Sequence, residues 1–591
     1  MAVEPQAPPH VVRTGDATAP DAPPHVVHRP APGTTHEVTN QPPPLEGYDV
    51  YAADRVLVEA VEREGAGWAG ADLHRLGRRA GSAEAVALGF AADVHRPALR
   101  THDRYGHRVD EVDFHPSYHE LLGTSVRQGL HAAPWAAPRP GTHVARAAGF
   151  VVWSQVDAGT GCPASMTYAS LPVLRAAPGL FAGWGPRLVS RHYSPAHVPH
   201  PDKGGAQAGM AMTEKQGGSD VRAGTTRAVR TPAADHDGAE AYRLTGHKWF
   251  CSAPMSDAFL VLAQTPGGLT CFLLPRVLPD GTRNAVRLQR LKDKLGNRSN
   301  ASAEIELVDT LAWRVGEEGR GVRTIVEMVA LTRLDCVLGT AALMRQAVAQ
   351  ATHHAAHRSA FGRRLADAPL MQAVLADLAV ESEAATVLGL RLAGAVDRTE
   401  RDPDDHEQAL RRIGTAVAKY YVCKRGSAVT AEALECLGGN GYVEESVMPR
   451  LYREAPVNSV WEGSGNVNAL DVLRALARTP AVADAVLREI DLAAGADTRL
   501  DAAAASLRRD LGALVASPDA VTSSAVERGA RRLVERTALA LQGSLLVRHS
   551  PAAVADAFCG SRFGDGGLTF GTQPDGADLA AIVARHTPAL P

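Results

Sequence analysis

The sequence predicts an α+β fold made of a helical domain, a compact β domain, a helical bundle and a further helical extension. Three observations carry this reading. Apolar residues recur at helical spacing before about residue 205 and again after Gly321. Between them, residues 206–315 hold short alternating or apolar runs bounded by Gly and Pro. No amphipathic helix separates those runs, which excludes a βαβ array. At 591 residues the chain is long enough for several domains. Its 45% hydrophobic and 21% charged residues exclude a mostly disordered, collagen-like or disulfide-stapled chain.

Taken in order, residues 1–45 contain 11 of the 38 prolines and repeat Pro-Pro-His-Val-Val at 8–12 and 23–27. Such a stretch reads as a disordered Pro-rich tail, with a docking segment as the alternative. Residues 46–205 read as an N-terminal helical domain. Val56/Ala60 and Leu57/Val61 are four apart, as on one helix face, and Arg146 to Trp153 opens another candidate helix. Residues 206–315 form the β domain: Ala241 to Thr245 and Ala303 to Val308 alternate, while Phe259 to Leu262 and Thr270 to Leu274 are apolar runs. Residues 316–478 return to helix, with a long stretch from Thr324 to Ser359 and others near 370–397, 407–437 and 464–477. Residues 479–591 are Ala-rich and helical until Gly-rich punctuation at 560–571.

Charge and cysteine usage narrow the function classes. A formal net charge of −3, from 62 basic and 65 acidic residues, supplies no bulk attraction to nucleic acid or anionic lipid. Lys accounts for only 7 of the basic residues, so Arg clusters in this chain are weak evidence for phosphate binding. The 7 Cys are scattered with no Cys-x-x-Cys pair, so no metal site and no disulfide framework is expected. No apolar run reaches membrane-spanning length, and the first residues lack a signal peptide pattern. A cytoplasmic protein without membrane contact is the expectation.

Five segments carry candidate chemistry. Met210 to Val221, containing Thr-Glu-Lys-Gln-Gly-Gly-Ser-Asp, lies where helix gives way to sheet, and its Gly217-Gly218 pair permits close backbone approach. Taken singly it is a polar turn. His247-Lys248-Trp249-Phe250-Cys251-Ser252 ends a strand with two aromatics beside a hydroxyl, able to wall a flat ring. Arg358, Phe361 and Gln372 follow the long helix, and Leu437-Gly438-Gly439-Asn440 is a turn with exposed N–H groups. The most telling segment is Val460-Trp461-Glu462-Gly463-Ser464-Gly465-Asn466. A carboxylate beside an aromatic ring is partly desolvated, which raises its pKa toward that of a useful base. A capping carboxylate near a helix start is the alternative.

In this order and spacing the motifs resemble the acyl-CoA dehydrogenase superfamily over roughly residues 46–478. The spellings TEKQGGSDV, HKWFCS and LYREAPVNSVWEGSGNV, with the C-terminal extension, resemble its AidB branch, flavoproteins of the adaptive response to DNA alkylation. The resemblance implies a helical domain, a barrel-like β domain and a helical bundle, with FAD as cofactor and a homotetrameric assembly. It implies that Glu462 is the catalytic base for an acyl-CoA or related substrate. Cofactor contacts implied in the same way are Met212, Thr213, Gly218, Ser219, Trp249, Phe250, Ser252, Gly438, Gly439, Val460, Trp461, Ser464 and Asn466. Arg358, Phe361 and Gln372 match positions that reach a neighbouring subunit's FAD. Two departures stand out: Trp461 replaces the usual Tyr, which narrows the acyl channel, and Cys251-Ser252 replaces the usual Thr-Asn.

The branch also implies duplex DNA as a partner, bound through the extension. From 481 to 591, however, 11 Arg face 13 acidic residues, so no bulk attraction to phosphate follows. A local patch survives, because Arg528, Arg532 and Arg536 recur every four residues with Arg531 beside them. Glu527 and Glu535 interleave, so a solvated face laced with intrahelical pairs is the plainer reading. Two functions therefore stand: an FAD-dependent dehydrogenase, or a DNA-associated flavoprotein of the alkylation response with little turnover. A flavin monooxygenase-like relative is a third.

Overall fold

A computed structural model describes residues 35–402, 404–517 and 523–590. The Pro-rich tail expected at 1–45 lies mostly outside them. All elements below belong to the unit that begins at Pro42.

The first part is largely helical: α1 (Arg55–Arg63), α2 (Gly70–Ala80), α3 (Ala83–Val94), α4 (Pro116–Arg127), α5 (Ala133–Ala136), α6 (Thr142–Ser154), α7 (Gly161–Leu174) and α8 (Pro178–Leu188). Local chemistry sets their ends. Asp54 caps α1 by accepting from the Leu57 N–H, and Ser82 caps α3 by accepting from the Ala85 N–H. One stretch departs from the helical expectation: β1 (Ala98–His102) and β2 (Arg108–Asp113) form an antiparallel hairpin. Asp103 closes its turn by accepting from the Tyr105 and His107 N–H groups. Buried Asp110 then accepts from the Leu288 N–H, which ties the hairpin to the β domain.

That domain contains β3 (Ala208–Ala211), β4 (Arg227–Arg230), β5 (Ala241–Ser252), β6 (Ala258–Thr265), β7 (Gly268–Pro275), β8 (Val286–Leu291) and β9 (Ser302–Val315). The pairings β4–β5, β5–β9, β9–β7, β7–β6 and β6–β4 return to their start, so the sheet closes as a barrel. Strand β3 pairs with β6 and β8 with β9 outside that ring. Alternate residues such as Leu244, Val261, Phe272, Leu274 and Ile305 fill a core separate from that of the helices.

Beyond the barrel, α9 (Gly321–His357) runs 37 residues and is buried along most of its length. A short hairpin of β10 (Ser359–Ala360) and β11 (Arg363–Arg364) leads into α10 (Pro369–Arg401) and α11 (Asp405–Cys436), followed by α12 (Gly439–Tyr442), α13 (Met448–Val460) and α14 (Gly465–Arg478). The extension continues as α15 (Ala481–Asp491), α16 (Thr498–Ala516), α17 (Ser524–His549), α18 (Ala552–Phe563) and α19 (Leu579–His586). It is locked to α10 through buried charges. Arg562 pairs with Asp377 and Glu381, Arg585 and His586 pair with Glu383, and Arg391 pairs with Glu489. Removing one member of such a pair leaves an uncompensated buried charge, so the extension is fixed in register on the bundle.

Candidate functional site

Glu462 sits in the short link between α13 and α14. Its φ of 57° and the 102° of Gly463 put both residues in the left-handed region. For glutamate that conformation is strained, and it persists only where the surroundings enforce it. Here the backbone is pinned from two helices. Arg333 of α9 donates Nε to the Glu462 carbonyl at 2.8 Å, and Lys419 of α11 donates Nζ to the Gly463 carbonyl at 3.0 Å. Asn468 adds a bond to the same Gly463 oxygen at 2.6 Å. Arg333 is itself oriented by Asp471 at 2.8 Å.

With its backbone fixed, the half-buried Glu462 carboxylate reaches α9, where the Thr332 hydroxyl donates to Oε2 at 2.8 Å. Burial raises its pKa. The Thr332 bond and the charges of Lys419 and Arg333 pull the other way without cancelling the rise. The carboxylate is thus a basic glutamate held by a hydroxyl. Trp461 turns away, donating its ring N–H to Asn458 Oδ1 at 3.0 Å, and Val460 is exposed.

The barrel carries a second group of the expected contacts. The β5–β9 register shifts between Lys248 and Cys251, a bulge that carries Trp249 and Phe250 outward. Their rings stand 6.4 Å apart at 83°, with Phe250 about half exposed. The Trp249 backbone N–H donates to the Thr213 carbonyl at 2.8 Å, joining the loop of Met212, Thr213, Gly218 and Ser219 to the aromatic strand. Behind it, buried Glu214 accepts from Lys248 Nζ at 2.8 Å, from the Thr225 N–H and from the Thr226 hydroxyl, both at 2.6 Å. Burial pushes the Glu214 pKa up, but the Lys248 charge and these bonds outweigh it and hold the carboxyl well below its usual range. Ser252 Oγ lies 3.1 Å from Ser302 Oγ, while Cys251 points into the barrel core.

Cys162 is half-buried at the start of α7. Burial pushes its thiol up to about 12, while the nearby Lys294 ammonium pulls down and the Glu462 carboxylate pushes up.

The remaining expected contacts form two further groups. Arg358, the C-cap of α9, lines a cavity of about 310 Å³ with Gly438 and Gly439. Phe361 stands fully exposed at the tip of the β10–β11 hairpin with a φ of 51°, and Gln372 donates to the Ala366 carbonyl at 2.8 Å. Ser464 and Asn466 begin α14. There the Arg531 Nε donates to Asn466 Oδ1 at 2.9 Å, and a Cβ added at Gly465 would lie 3.0 Å from Lys424 Nζ. Burial, then Arg531 and Lys419, lower the Lys424 pKa.

The arginine face on α17 is divided rather than laced with intrahelical pairs. Arg531 turns to α14, and Arg536 pairs with Asp510 and Ser506 of α16. Arg528 and Arg532 are exposed and make no ion pair among the described residues; Glu527 and Glu535 do not bridge to them. No group of residues suited to a metal ion occurs among the described residues.

The donor set fits a flat-ring dinucleotide. It offers an aromatic face at Trp249, a hydroxyl at Ser252, and two cations over the first turn of α14, whose N–H groups have no helical partner. Thr332, Arg333, Lys419, Cys162 and Lys294 are site residues that the sequence motifs did not mark.

Residues 40–195 match the adaptive response protein AidB N-terminal domain, 209–310 the acyl-CoA dehydrogenase middle domain, and 319–477 the acyl-CoA dehydrogenase C-terminal domain. AidB of Escherichia coli (strain K12) is 46% identical over 527 residues, covering 89% of this chain and 94% of that protein. Caenorhabditis elegans ACDH-11, solved in complex with C11-CoA, is similar with a TM-score of 0.77 at 27% identity, over 95% of this chain and 93% of that one. An FAD-complexed acyl-CoA dehydrogenase from Bacillus anthracis shares the fold at a TM-score of 0.58 and 19% identity, over 80% and 87% of the two chains.

Proposed function

The chain belongs to the acyl-CoA dehydrogenase family, in its AidB branch, and on that premise we propose that it oxidises the acyl group of an acyl-CoA-type thioester with FAD as cofactor. Homologues in the family bind FAD. When bound, FAD supplies the acceptor for a hydride from the substrate's β-carbon. Trp249, Phe250 and Ser252 would hold the ring, and Thr213, Ser219, Ser464 and Asn466 the phosphates and ribityl chain. The C11-CoA held by the nematode relative supports acyl-CoA as the substrate class.

This chain's own chemistry is proton removal. The Glu462 carboxylate takes the α-proton of the thioester. Thr332 fixes the position of Oε2, and Arg333 and Lys419 hold the strained link that delivers it. Burial keeps water from solvating the carboxylate and so keeps it basic. The carrying observation is this half-buried glutamate, held by the Thr332 hydroxyl on a link pinned by Arg333 and Lys419, with its pKa raised by burial. Anaerobic titration of the flavin-loaded protein with a panel of acyl-CoAs, followed by oxidised-flavin absorbance, tests it. If no acyl-CoA bleaches the flavin, the dehydrogenase reading falls.

A second reading rests on Arg528 and Arg532, exposed cations without partners among the described residues. On it the protein associates with duplex DNA, and salt-dependent retention on a duplex is the measurement. The exposed Phe361 hairpin supports assembly with further copies as a tetramer, Arg358, Phe361 and Gln372 reaching the neighbour's cofactor. No helix among the described residues is long and apolar enough to cross a membrane, and we place the protein in the cytoplasm.

A further inference from the structure

A cavity of about 210 Å³ opens between the end of α3 and the loop from β8 to β9, and its lining is cationic. Arg96, Lys292, Lys294 and Arg298 face it against a single carboxylate, Asp293. The carboxylates nearby are already engaged. Asp293 pairs with Arg96, Glu304 is shared by Arg290 and Lys292, and Asp93 lies 2.9 Å from Arg453. Arg298 approaches Asp93 only at 3.9 Å.

Lys294 is the unusual member. Its ammonium donates to the Asn300 carbonyl at 2.6 Å, to Ser302 Oγ at 3.2 Å and to Asn297 Oδ1 at 3.4 Å, all neutral oxygens. Among the described residues it makes no ion pair: the carboxylates of Glu454 and Asp157 act on the half-buried ammonium without contacting it, and a cation so withdrawn from water is costly. Burial lowers its pKa to about 8. Asn300 adds a second, independent signal. It is 1% exposed, its amide donates to Asn297, and its own Oδ1 has no partner among the described residues. Buried polar atoms without partners are rare and mark a missing group.

We propose that this cavity binds a small oxyanion, a carboxylate or a phosphate, on a molecule that also presents an O–H or N–H donor to Asn300. The anion supplies Lys294 with a directly bound counter-charge and Arg298 with a closer one than Asp93, and the donor satisfies Asn300. The volume is several times the roughly 30 Å³ of a water and below the roughly 300 Å³ where small-molecule pockets begin, so the cavity takes the end of a molecule. Lys292 connects it to the barrel wall: its ammonium lies 3.2 Å from the Trp249 ring centroid. The inference stands apart from the dehydrogenase reading, because binding is read without turnover.

The test is isothermal titration calorimetry of the full-length protein with inorganic phosphate and with malate, each an anion bearing an O–H. Ionic strength is held constant with sodium chloride. Saturable one-to-one binding to one or both is expected, and the preferred anion tells whether the source is a phosphoryl or a carboxyl group. Arg298→Gln and Lys294→Met should each weaken binding by about 10-fold or more, as expected for a charge-assisted hydrogen bond. Arg298 is at the cavity rim, so its variant decides the matter should Lys294→Met fail to fold. No saturable binding of either anion up to about 10 mM, or an Arg298→Gln protein that binds like the parent, overturns the proposal.

Discussion

Thr332 Oγ1 donates to Glu462 Oε2 at 2.8 Å, a bond between residues 130 positions apart that fixes where the carboxylate points. A hydrogen bond to the charged form favours that form, so Thr332 holds down a pKa that burial raises. On the proposed reading Glu462 is the base, and it can take a proton only when ionised. Flavin reduction should therefore fall as pH drops through its pKa, with an inflection above the ~4.3 of an ordinary glutamate. Thr332→Val removes the lowering contribution, so the inflection should move to higher pH with the high-pH plateau largely kept. Thr332→Ser should restore it. Stopped-flow reduction rates across pH check this, and an unmoved inflection in Thr332→Val removes the bond from the mechanism.

Glu462→Gln keeps the shape and loses the proton acceptor. Substrate-driven flavin reduction should drop by ~10²–10⁴-fold, the usual worth of a positioned general base. Stability should move the other way. A glutamate with a raised folded-state pKa is favoured in its protonated form, so its contribution to stability declines as pH rises above the unfolded value. A neutral amide avoids that decline, and the thermal midpoint at pH 7 should be unchanged or higher. A capping carboxylate would give the reverse, with the rate kept and stability lowered.

These relationships show what could be read from the chain and what could not. Helices and strands were legible because their apolar periods differ, and Glu462 stood out because its neighbours are small or aromatic. The β1–β2 hairpin was not legible, since its inward side chain at Asp110 is polar and finds its partner at Leu288. Thr332 and Arg333 carry no local mark, because their role exists only once α9 crosses the α13–α14 link. A compositional signal was available for the lysines. In a chain whose cations are nearly all Arg, Lys203, Lys248, Lys292, Lys294, Lys419 and Lys424 are buried or half-buried, and five of them flank the site. A compact ammonium fits where a guanidinium fork does not. The extension's net charge was uninformative for a similar reason, since Arg562 and Arg585 are taken up by carboxylates of α10.

The Glu214–Lys248 pair supports the Thr213 loop from inside the barrel. Lys248→Met leaves the Glu214 carboxylate buried with only neutral donors, a loss of ~3–5 kcal/mol by analogy with broken buried pairs. FAD should dissociate more readily and the thermal midpoint should fall, with partial recovery in Lys248→Met/Glu214→Gln. The acid behaviour has a definite sign. Glu214 is depressed below its unfolded value, so its stabilisation is present above ~4.3 and is lost as pH falls toward the lower folded-state value. FAD retention measured by gel filtration between pH 6 and 3 should decline in the parent and show less pH dependence in the double variant.

The divided arginine face separates the two functional readings. Arg531 reaches from the extension to Asn466 at the start of α14, beside Lys424, where a pyrophosphate would sit. Arg528 and Arg532, on the same helix, face solvent. Arg531→Gln should therefore weaken FAD binding by about 10- to 100-fold, the worth of a hydrogen bond to a charged group, as read by equilibrium dialysis of the apoprotein. Arg528→Gln and Arg532→Gln should leave FAD affinity unchanged. If the protein binds duplex DNA through this face, each should lower the slope of log affinity against log salt by about 1, because each removes one phosphate contact. An Arg531→Gln protein with parental FAD affinity and a reduced salt slope would assign Arg531 to the DNA face instead, and the extension would then have no part in holding the cofactor.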